Sequence, residues 1–173
     1  MKIYLVGFMG AGKSTVGAVL AEAIGAPFLD LDDLVEDSEK MSIRDIFAEQ
    51  GEPYFRKRES DILALTAHMN SAVVATGGGT YTFRENIAMI DEVGISVYLS
   101  LPYSILRERI SRSSAERPMF TDEMALHRLF NNRLEYYRRA AMSIDIREEE
   151  TPRDVADRIL RRLPQLKAAG EPR

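Results

Sequence analysis

Eight residues near the start of the chain form its most specific chemical motif. They run Gly7-Phe8-Met9-Gly10-Ala11-Gly12-Lys13-Ser14 and fit the pattern G-x-x-x-x-G-K-[ST] without a mismatch. Glycines let successive backbone N–H groups turn toward phosphate oxygens, and the N-terminus of a following helix adds a positive dipole end. In such loops the lysine contacts the β- and γ-phosphates and the hydroxyl binds Mg²⁺. The motif therefore predicts nucleotide binding, although GTPases, ATPases and kinases all share it.

An acidic run, Asp30-Leu31-Asp32-Asp33, follows the second predicted strand. Alternation along a strand would place Asp30 and Asp32 on the same face near its carboxyl end, where open α/β sheets bind ligands. One carboxylate could hold the Mg²⁺ shell while the other meets an attacking hydroxyl. The alternative role is helix capping, which we assign to Asp33 at a helix beginning near Leu34.

Two further segments carry candidate binding groups. Phe55-Arg56-Lys57-Arg58-Glu59 falls in a helix predicted to start near residues 52–53, and we expect Lys57 and Arg58 to face solvent. Ala75-Thr76-Gly77-Gly78-Gly79 ends the third predicted strand. Three consecutive glycines there indicate close approach of a ligand to the backbone, with a plain loop as the alternative.

The elements that must position these residues alternate between short apolar runs and helical patterns. Predicted strands cover residues 3–6, 27–31, 72–75, 95–99 and 143–146. This alternation predicts βαβ units, and hence a three-layer α/β fold with a five-stranded parallel sheet. The stretch 33–68 is longer than a crossover needs and predicts a helical insertion, whereas the polar segment 111–122 predicts a mobile lid. The last helix should open at Thr151-Pro152, and we expect residues 164–173 to form a frayed tail.

The length, composition and net charge of the chain exclude several classes of protein. The chain has 173 residues, which we interpret as a single domain, and its lack of cysteine excludes disulfides and thiolate-bound zinc. A net charge of −4 argues against a general nucleic-acid binder. We expect no signal peptide and no membrane span, because no apolar stretch reaches about 18 residues. We therefore expect a cytoplasmic protein.

The motifs together resemble those of the shikimate kinases, which phosphorylate the 3-hydroxyl of shikimate with ATP. The resemblance runs from about Lys2 to Leu163 and rests on the order of five pieces: 7–15, 28–32, the stretch from Ile46 to Glu59, 75–79, and the late Arg117-Pro118 and Arg133. The chain departs from the family pattern at 80–83, 134–137 and 148–150.

The resemblance implies a role for each matching residue. The implied fold is a P-loop fold like that of nucleoside monophosphate kinases, acting as a monomer, with residues 33–68 around the acceptor. Catalysis would involve Lys13, Asp32 and Arg117. ATP would contact Gly10, Ala11, Gly12, Lys13, Ser14 and Thr15, with Arg109 beside the adenine and Arg117 on the lid. Shikimate would contact Asp32, Arg56, Gly77, Gly78, Gly79 and Arg133. The guanidinium groups of Arg56 and Arg133 suit a carboxylate. Mg²⁺ would lie by Ser14 and Asp30.

The sequence is also compatible with two other functions. The same fold and the same pair of arginines would serve a kinase for another small hydroxy acid, such as a gluconate-type sugar acid. A nucleotide-binding module without catalysis would also keep the glycine loop, although the intact Lys13, Ser14, Asp32 and Arg117 favour an enzyme.

Overall fold

Five short apolar runs form strands that pair side by side in one direction. The computed structural model describes residues 1–113 and 122–170. Its strands are β1 (Lys2–Val6), β2 (Phe28–Asp30), β3 (Ala72–Ala75), β4 (Ile95–Ser100) and β5 (Met142–Asp145). They form one parallel sheet in the order β2-β3-β1-β4-β5. The predicted α/β fold with a five-stranded parallel sheet is confirmed, and each predicted strand differs by at most one residue at either end.

Helices cover this sheet. They are α1 (Lys13–Ile24), α2 (Leu31–Glu39), α3 (Ile43–Glu49), α4 (Gly51–Thr66), α5 (Arg84–Val93), α6 (Tyr103–Ser113), α7 (Glu123–Tyr137) and α8 (Pro152–Gly170), with a short 3₁₀ helix at Thr80–Thr82. The central strand β1 and its neighbour β3 have buried side chains on both faces. Continuous burial without alternation is the pattern of a strand covered on both sides. The sheet is therefore the middle layer of an αβα arrangement.

Helices α2, α3 and α4 form the predicted insertion between β2 and β3. Arg58 Nε donates to Glu39 Oε1 at 2.5 Å, and the Tyr54 hydroxyl donates to Glu39 Oε2 at 2.6 Å. These bonds tie α4 to the end of α2. The prediction that Arg58 faces solvent holds only in part: its side chain is 32% exposed, because Glu39 draws its guanidinium against the helix pair. Lys57 is exposed.

The end of β2 also differs from the sequence interpretation. The strand stops at Asp30, and α2 begins at Leu31 instead of near Leu34. Asp30 Oδ1 accepts the Asp32 N–H at 3.0 Å, so Asp30 is the cap and the capping role assigned to Asp33 is wrong. Asp32 consequently lies in the first turn of α2 and does not share a strand face with Asp30. Capping wins because a carboxylate at a strand end can satisfy a free helical N–H.

The last helix begins as predicted and extends into the predicted tail. Thr151 and Asp154 bond reciprocally: Asp154 N–H donates to Thr151 Oγ1 at 3.2 Å, and Thr151 N–H donates to Asp154 Oδ2 at 2.9 Å. The helix then continues through Pro164 to Gly170, so the described part of the predicted tail is helical. Ile159 and Leu163 are buried just ahead of the proline, and their packing holds the turn that precedes it.

The predicted lid falls largely on residues that the structure does not describe. Residues 111–113 end α6 and Asp122 caps α7, whereas 114–121, including Arg117, lie outside the described residues. Within the described part of the chain, no helix has the length and apolar character that crossing a membrane requires.

Candidate active site

The loop between β1 and α1 contains three glycines with positive φ angles. The values are +142° at Gly7, +78° at Gly10 and +87° at Gly12, the residue directly before α1. Residues with side chains rarely adopt such angles, and a Cβ on Gly7 would lie 3.0 Å from the Leu99 carbonyl oxygen. Glycine thus permits a concave backbone ahead of a helix N-terminus, an arrangement suited to an anion.

Lys13 folds back over this loop. The side chain is 9% exposed, and its ammonium donates to the carbonyl oxygens of Gly7 at 2.9 Å and Phe8 at 3.0 Å. The cation is therefore held beside the concave backbone by two loop carbonyls. A bound polyphosphate would meet backbone N–H groups and this ammonium together.

Ser14 and Asp30 join the start of α1 to the end of β2. The Ser14 hydroxyl donates to Asp30 Oδ2 at 2.5 Å, while Asp30 Oδ1 holds the N-terminus of α2. A hydroxyl and a carboxylate at the carboxyl edge of a parallel sheet form a set of oxygen donors of the kind that Mg²⁺ prefers. These donors fit the predicted metal position.

Asp32 lies close to the first glycine that follows β3. A Cβ on Gly77 would lie 3.0 Å from Asp32 Oδ1 and 2.3 Å from Glu59 Oε1, so only glycine leaves room for both carboxylates. The neighbouring Asp33 has a raised pKa, chiefly because of burial and then because of the negative charges of Asp30, Glu36 and Asp37. The start of α2 thus brings a strongly negative group of side chains to one edge of the site.

Four side chains contact the guanidinium group of Arg56. Its Nη1 lies 3.0 Å from Glu59 Oε2, and its Nη2 lies 3.1 Å from Glu52 Oε1. Its guanidinium also lies 5.0 Å from the ring centre of Phe55 and 5.8 Å from that of Phe83, within the range of cation–π attraction. The planar cation is therefore fixed in direction, as recognition of a carboxylate requires.

Glu59 is a buried carboxylate for which the sequence analysis gave no role. It is 1% exposed, with Oε2 on Arg56 and Oε1 accepting the Thr80 hydroxyl at 2.6 Å. The i, i+3 spacing of Arg56 and Glu59 was the available signal, because such pairs lie on one helix face. The contact with Thr80 joins residues 21 positions apart and had no local signal.

The glycine run after β3 passes between two arginines. A Cβ on Gly79 would lie 2.7 Å from Arg56 Nη1, and one on Gly78 would lie 3.4 Å from Arg133 Nη1. Arg133 extends from α7, with its guanidinium 5.9 Å from the ring centre of Phe8. Two forked cations from different helices therefore border the same stretch of backbone.

A single cavity of about 930 Å³ connects the phosphate loop to these arginines. The predicted residues on its wall are Gly10, Gly12, Lys13, Ser14, Thr15, Asp30, Asp32, Arg56, Gly77, Gly78, Gly79, Arg109 and Arg133. Ala11 is buried within the loop, and Arg109 Nη1 donates to the Gly10 carbonyl oxygen at 3.3 Å. The structure thus brings together a phosphate-binding end and an anion-binding end in one cleft.

Comparison with known proteins shows the family of the chain. A family model described as shikimate kinase matches residues 9–164. The chain belongs to the shikimate kinase family. A shikimate kinase from a Nostoc species is 38% identical over 169 residues, which cover 96% of this chain and 92% of that protein. The structure of shikimate kinase from Acinetobacter baumannii in complex with shikimate superposes with a TM-score of 0.89 at 38% identity, covering 96% of this chain and 94% of that one.

A more distantly related structure shares the fold of this chain at low sequence identity. A gluconokinase from Sinorhizobium meliloti superposes with a TM-score of 0.60 at 20% identity, covering 98% of this chain and 97% of that one. At that identity the likeness shows a common fold and nothing about the acceptor. Membership of the shikimate kinase family identifies the chain as a phosphotransferase, and the acceptor must be argued from the cleft.

Proposed function

We propose that this protein transfers the γ-phosphate of ATP to the 3-hydroxyl of shikimate. The supporting observation is that Lys13 and the acceptor-side groups Asp32, Arg56 and Arg133 line one cavity. Phosphoryl transfer needs the donor, the acceptor and the neutralising cations in line, and it needs little covalent help from the protein. One continuous cleft with a phosphate loop at one end and two arginines at the other meets that requirement.

At the nucleotide end, the loop of residues 7–14 would bind the phosphates through its backbone N–H groups. Lys13 would exchange its bonds to the Gly7 and Phe8 carbonyls for phosphate oxygens, which carry more negative charge. Arg109, beside the Gly10 carbonyl, would border the nucleotide. Arg117 would also contact ATP; this residue lies outside the described part of the chain.

Mg²⁺ would be held by the Ser14 hydroxyl directly, with Asp30 in its outer shell. When bound, the ion neutralises negative charge on the transferring phosphate. Asp30 also caps α2, so the carboxylate that serves the metal fixes the helix on which Asp32 stands. Metal site and acceptor site would therefore share one structural support.

At the acceptor end, Arg56 and Arg133 would bind the carboxylate of shikimate, and backbone groups of residues 77–79 would lie against the ring. Asp32 would accept hydrogen bonds from ring hydroxyls and orient or deprotonate the attacking oxygen. The carboxylate–guanidinium contact fixes the acceptor at one end, so that only one ring hydroxyl reaches the phosphate. We also propose that the protein is a cytoplasmic monomer.

An assay of ADP release with purified protein tests the proposal. We expect release to require both shikimate and Mg²⁺ and to be lost in Lys13→Ala. Equal ATP turnover without shikimate would overturn the proposal, and turnover with gluconate alone would identify the sugar-acid alternative. No transfer to either acceptor, with nucleotide still bound, would support the non-catalytic alternative.

A further inference from the structure

Tyr137, the last residue of α7, is a buried phenol that the proposed chemistry leaves without a role. Its side chain is 0% exposed, and its ring stacks on that of Tyr98 with centroids 5.4 Å apart and planes at 25°. The hydroxyl donates to the carbonyl oxygen of Gly78. Burial raises the pKa of Tyr137, so the hydroxyl stays protonated and remains a donor at neutral pH. A buried donor is thus aimed at the middle of the glycine run.

This bond restrains a stretch of backbone that has no side chains of its own. Glycine peptides reorient at low steric cost, so residues 77–79 need an external contact to keep one orientation. The peptide between Gly78 and Gly79 is planar and trans. Holding its carbonyl toward α7 therefore points the Gly79 N–H the opposite way. Tyr137 sets the direction of both polar groups of that peptide.

The same hydroxyl also interacts with Arg133, one helical turn earlier on α7. The positive charge of the nearby Arg133 guanidinium lowers the pKa of Tyr137, opposing the larger effect of burial. Arg133 Nη1 in turn lies 3.4 Å from the position of a Cβ on Gly78. Arg133, the Tyr137 hydroxyl and the Gly78 carbonyl therefore form one connected group at the α7 side of the glycine run.

The opposite side of the run has its own support. There the Thr80 hydroxyl donates to Glu59, which pairs with Arg56. Each arginine is thus linked to the glycine backbone through a buried group: Arg56 through Glu59 and Thr80, and Arg133 through Tyr137. The distance between the arginines and the backbone facing the acceptor depends on both links.

We propose that Tyr137 is a positioning residue for the acceptor, holding the Gly78–Gly79 peptide and the Arg133 guanidinium at a fixed spacing. The inference rests on the proposed function, because it assigns these two groups to acceptor binding. It concerns affinity for the hydroxy acid and not the phosphate end of the cleft. Loss of the hydroxyl should therefore affect one substrate and spare the other.

The test is Tyr137→Phe, which keeps the stacked ring and removes only the hydroxyl. We expect the shikimate KM to rise about 10-fold, because a buried carbonyl loses its donor, while the Kd for ATP stays within about twofold of wild type. The matched control is Tyr81→Phe: Tyr81 is also 0% exposed and donates to Ser96 Oγ at 3.1 Å, away from the glycine run. It should lower the melting temperature and leave the shikimate KM unchanged.

A double-mutant cycle supplies a measurement that a merely structural role would not change. If Tyr137 acts through Arg133, the KM effects of Tyr137→Phe and Arg133→Lys should be less than additive in free energy. Additive effects, an unchanged KM in folded Tyr137→Phe, or equal losses for ATP and shikimate would each overturn the inference. Failure of the proposed function would appear in the wild-type protein, as ADP release that does not depend on shikimate.

Discussion

The Glu59 carboxylate and the Arg56 guanidinium pair at 3.0 Å, one helical turn apart on α4, with Glu59 only 1% exposed. A buried carboxylate is costly unless its oxygens are satisfied, and here the other oxygen accepts the Thr80 hydroxyl. Arg56 can therefore present its remaining donors in a fixed direction. The pair converts a flexible cation into an oriented binding group.

Replacing Glu59 by glutamine should weaken that orientation. We expect Glu59→Gln to raise the shikimate KM about 10-fold and to lower the free energy of unfolding by about 1–3 kcal/mol, because a charged hydrogen bond becomes neutral. Steady-state kinetics and urea unfolding measure the two effects. Glu52→Gln removes a carboxylate from the same guanidinium at a side chain that is 61% exposed, so its stability loss should stay below about 1 kcal/mol. Equal stability losses in the two variants would contradict the role of burial.

Asp32→Asn should separate acceptor chemistry from nucleotide binding. The amide keeps the size of the side chain but cannot take a proton, so kcat should fall by about 10²- to 10⁴-fold. The Kd for ATP, measured by calorimetry, should change little. Asp33→Asn, one residue further along α2, should reduce turnover far less. A similar loss in both variants would indicate that the charge of the acidic edge matters more than Asp32 itself.

Gly77→Ala should disturb both carboxylates beside it. The added Cβ would lie 2.3 Å from Glu59 Oε1, an atom held in place by Thr80, and crowding of this kind costs about 1–3 kcal/mol. We expect a lower melting temperature and a higher shikimate KM. Gly25→Ala is the comparison, because its φ of +63° also disfavours alanine but nothing lies within 4 Å of its Cβ. That variant should lose stability and keep its KM; a raised KM there would contradict the steric explanation.

The link between α2 and α4 should make stability depend on pH in the acid range. Hydrogen bonds from Tyr54 and then Arg58 hold the pKa of Glu39 below its ordinary value. A carboxyl with a lowered folded-state pKa stabilises the fold above the ordinary glutamate pKa of about 4.3, and the contribution disappears as pH falls through the folded-state pKa. We therefore expect Glu39→Gln to melt at a lower temperature than wild type at pH 7.

That difference should shrink as the pH is lowered toward 3, because the wild-type carboxyl becomes protonated. Melting curves between pH 7 and pH 3 measure it. Glu49→Gln, at an exposed position on α3, provides the control and should follow the wild-type curve. A gap between Glu39→Gln and wild type that stays constant with pH would contradict the effect of the lowered pKa.

The features that could be predicted from the sequence are those that depend on neighbouring residues in the chain. The phosphate loop needs its glycines and lysine in eight consecutive residues, and β1, β3 and β4 are short, largely apolar runs. The end of β2 could not be placed, because three aspartates compete for the cap and only the bond from Asp30 to the Asp32 N–H decides between them. Local patterns identify candidates for a cap without choosing one.

The contacts that orient the acceptor side depend on distant pairs. Thr80 meets Glu59, and Tyr137 meets Gly78 across 59 positions. A threonine after three glycines and a tyrosine at a helix end carry no local sign of such partners. Similarly, Arg58 sits in a run of cations that usually faces solvent, and the distant Glu39 overrides that tendency.

The strand order has a consequence for how the protein is made. β1, from which the phosphate loop emerges, pairs Lys2 with Ala72 and Ile3 with Ile95. Strand β1 thus gains both neighbours only after β4 has been synthesised, and pairing over such separations slows folding. Nascent chains ending before residue 95 would leave one edge of β1 without its strand, so capacity to bind ATP should arise only after β4 has been synthesised.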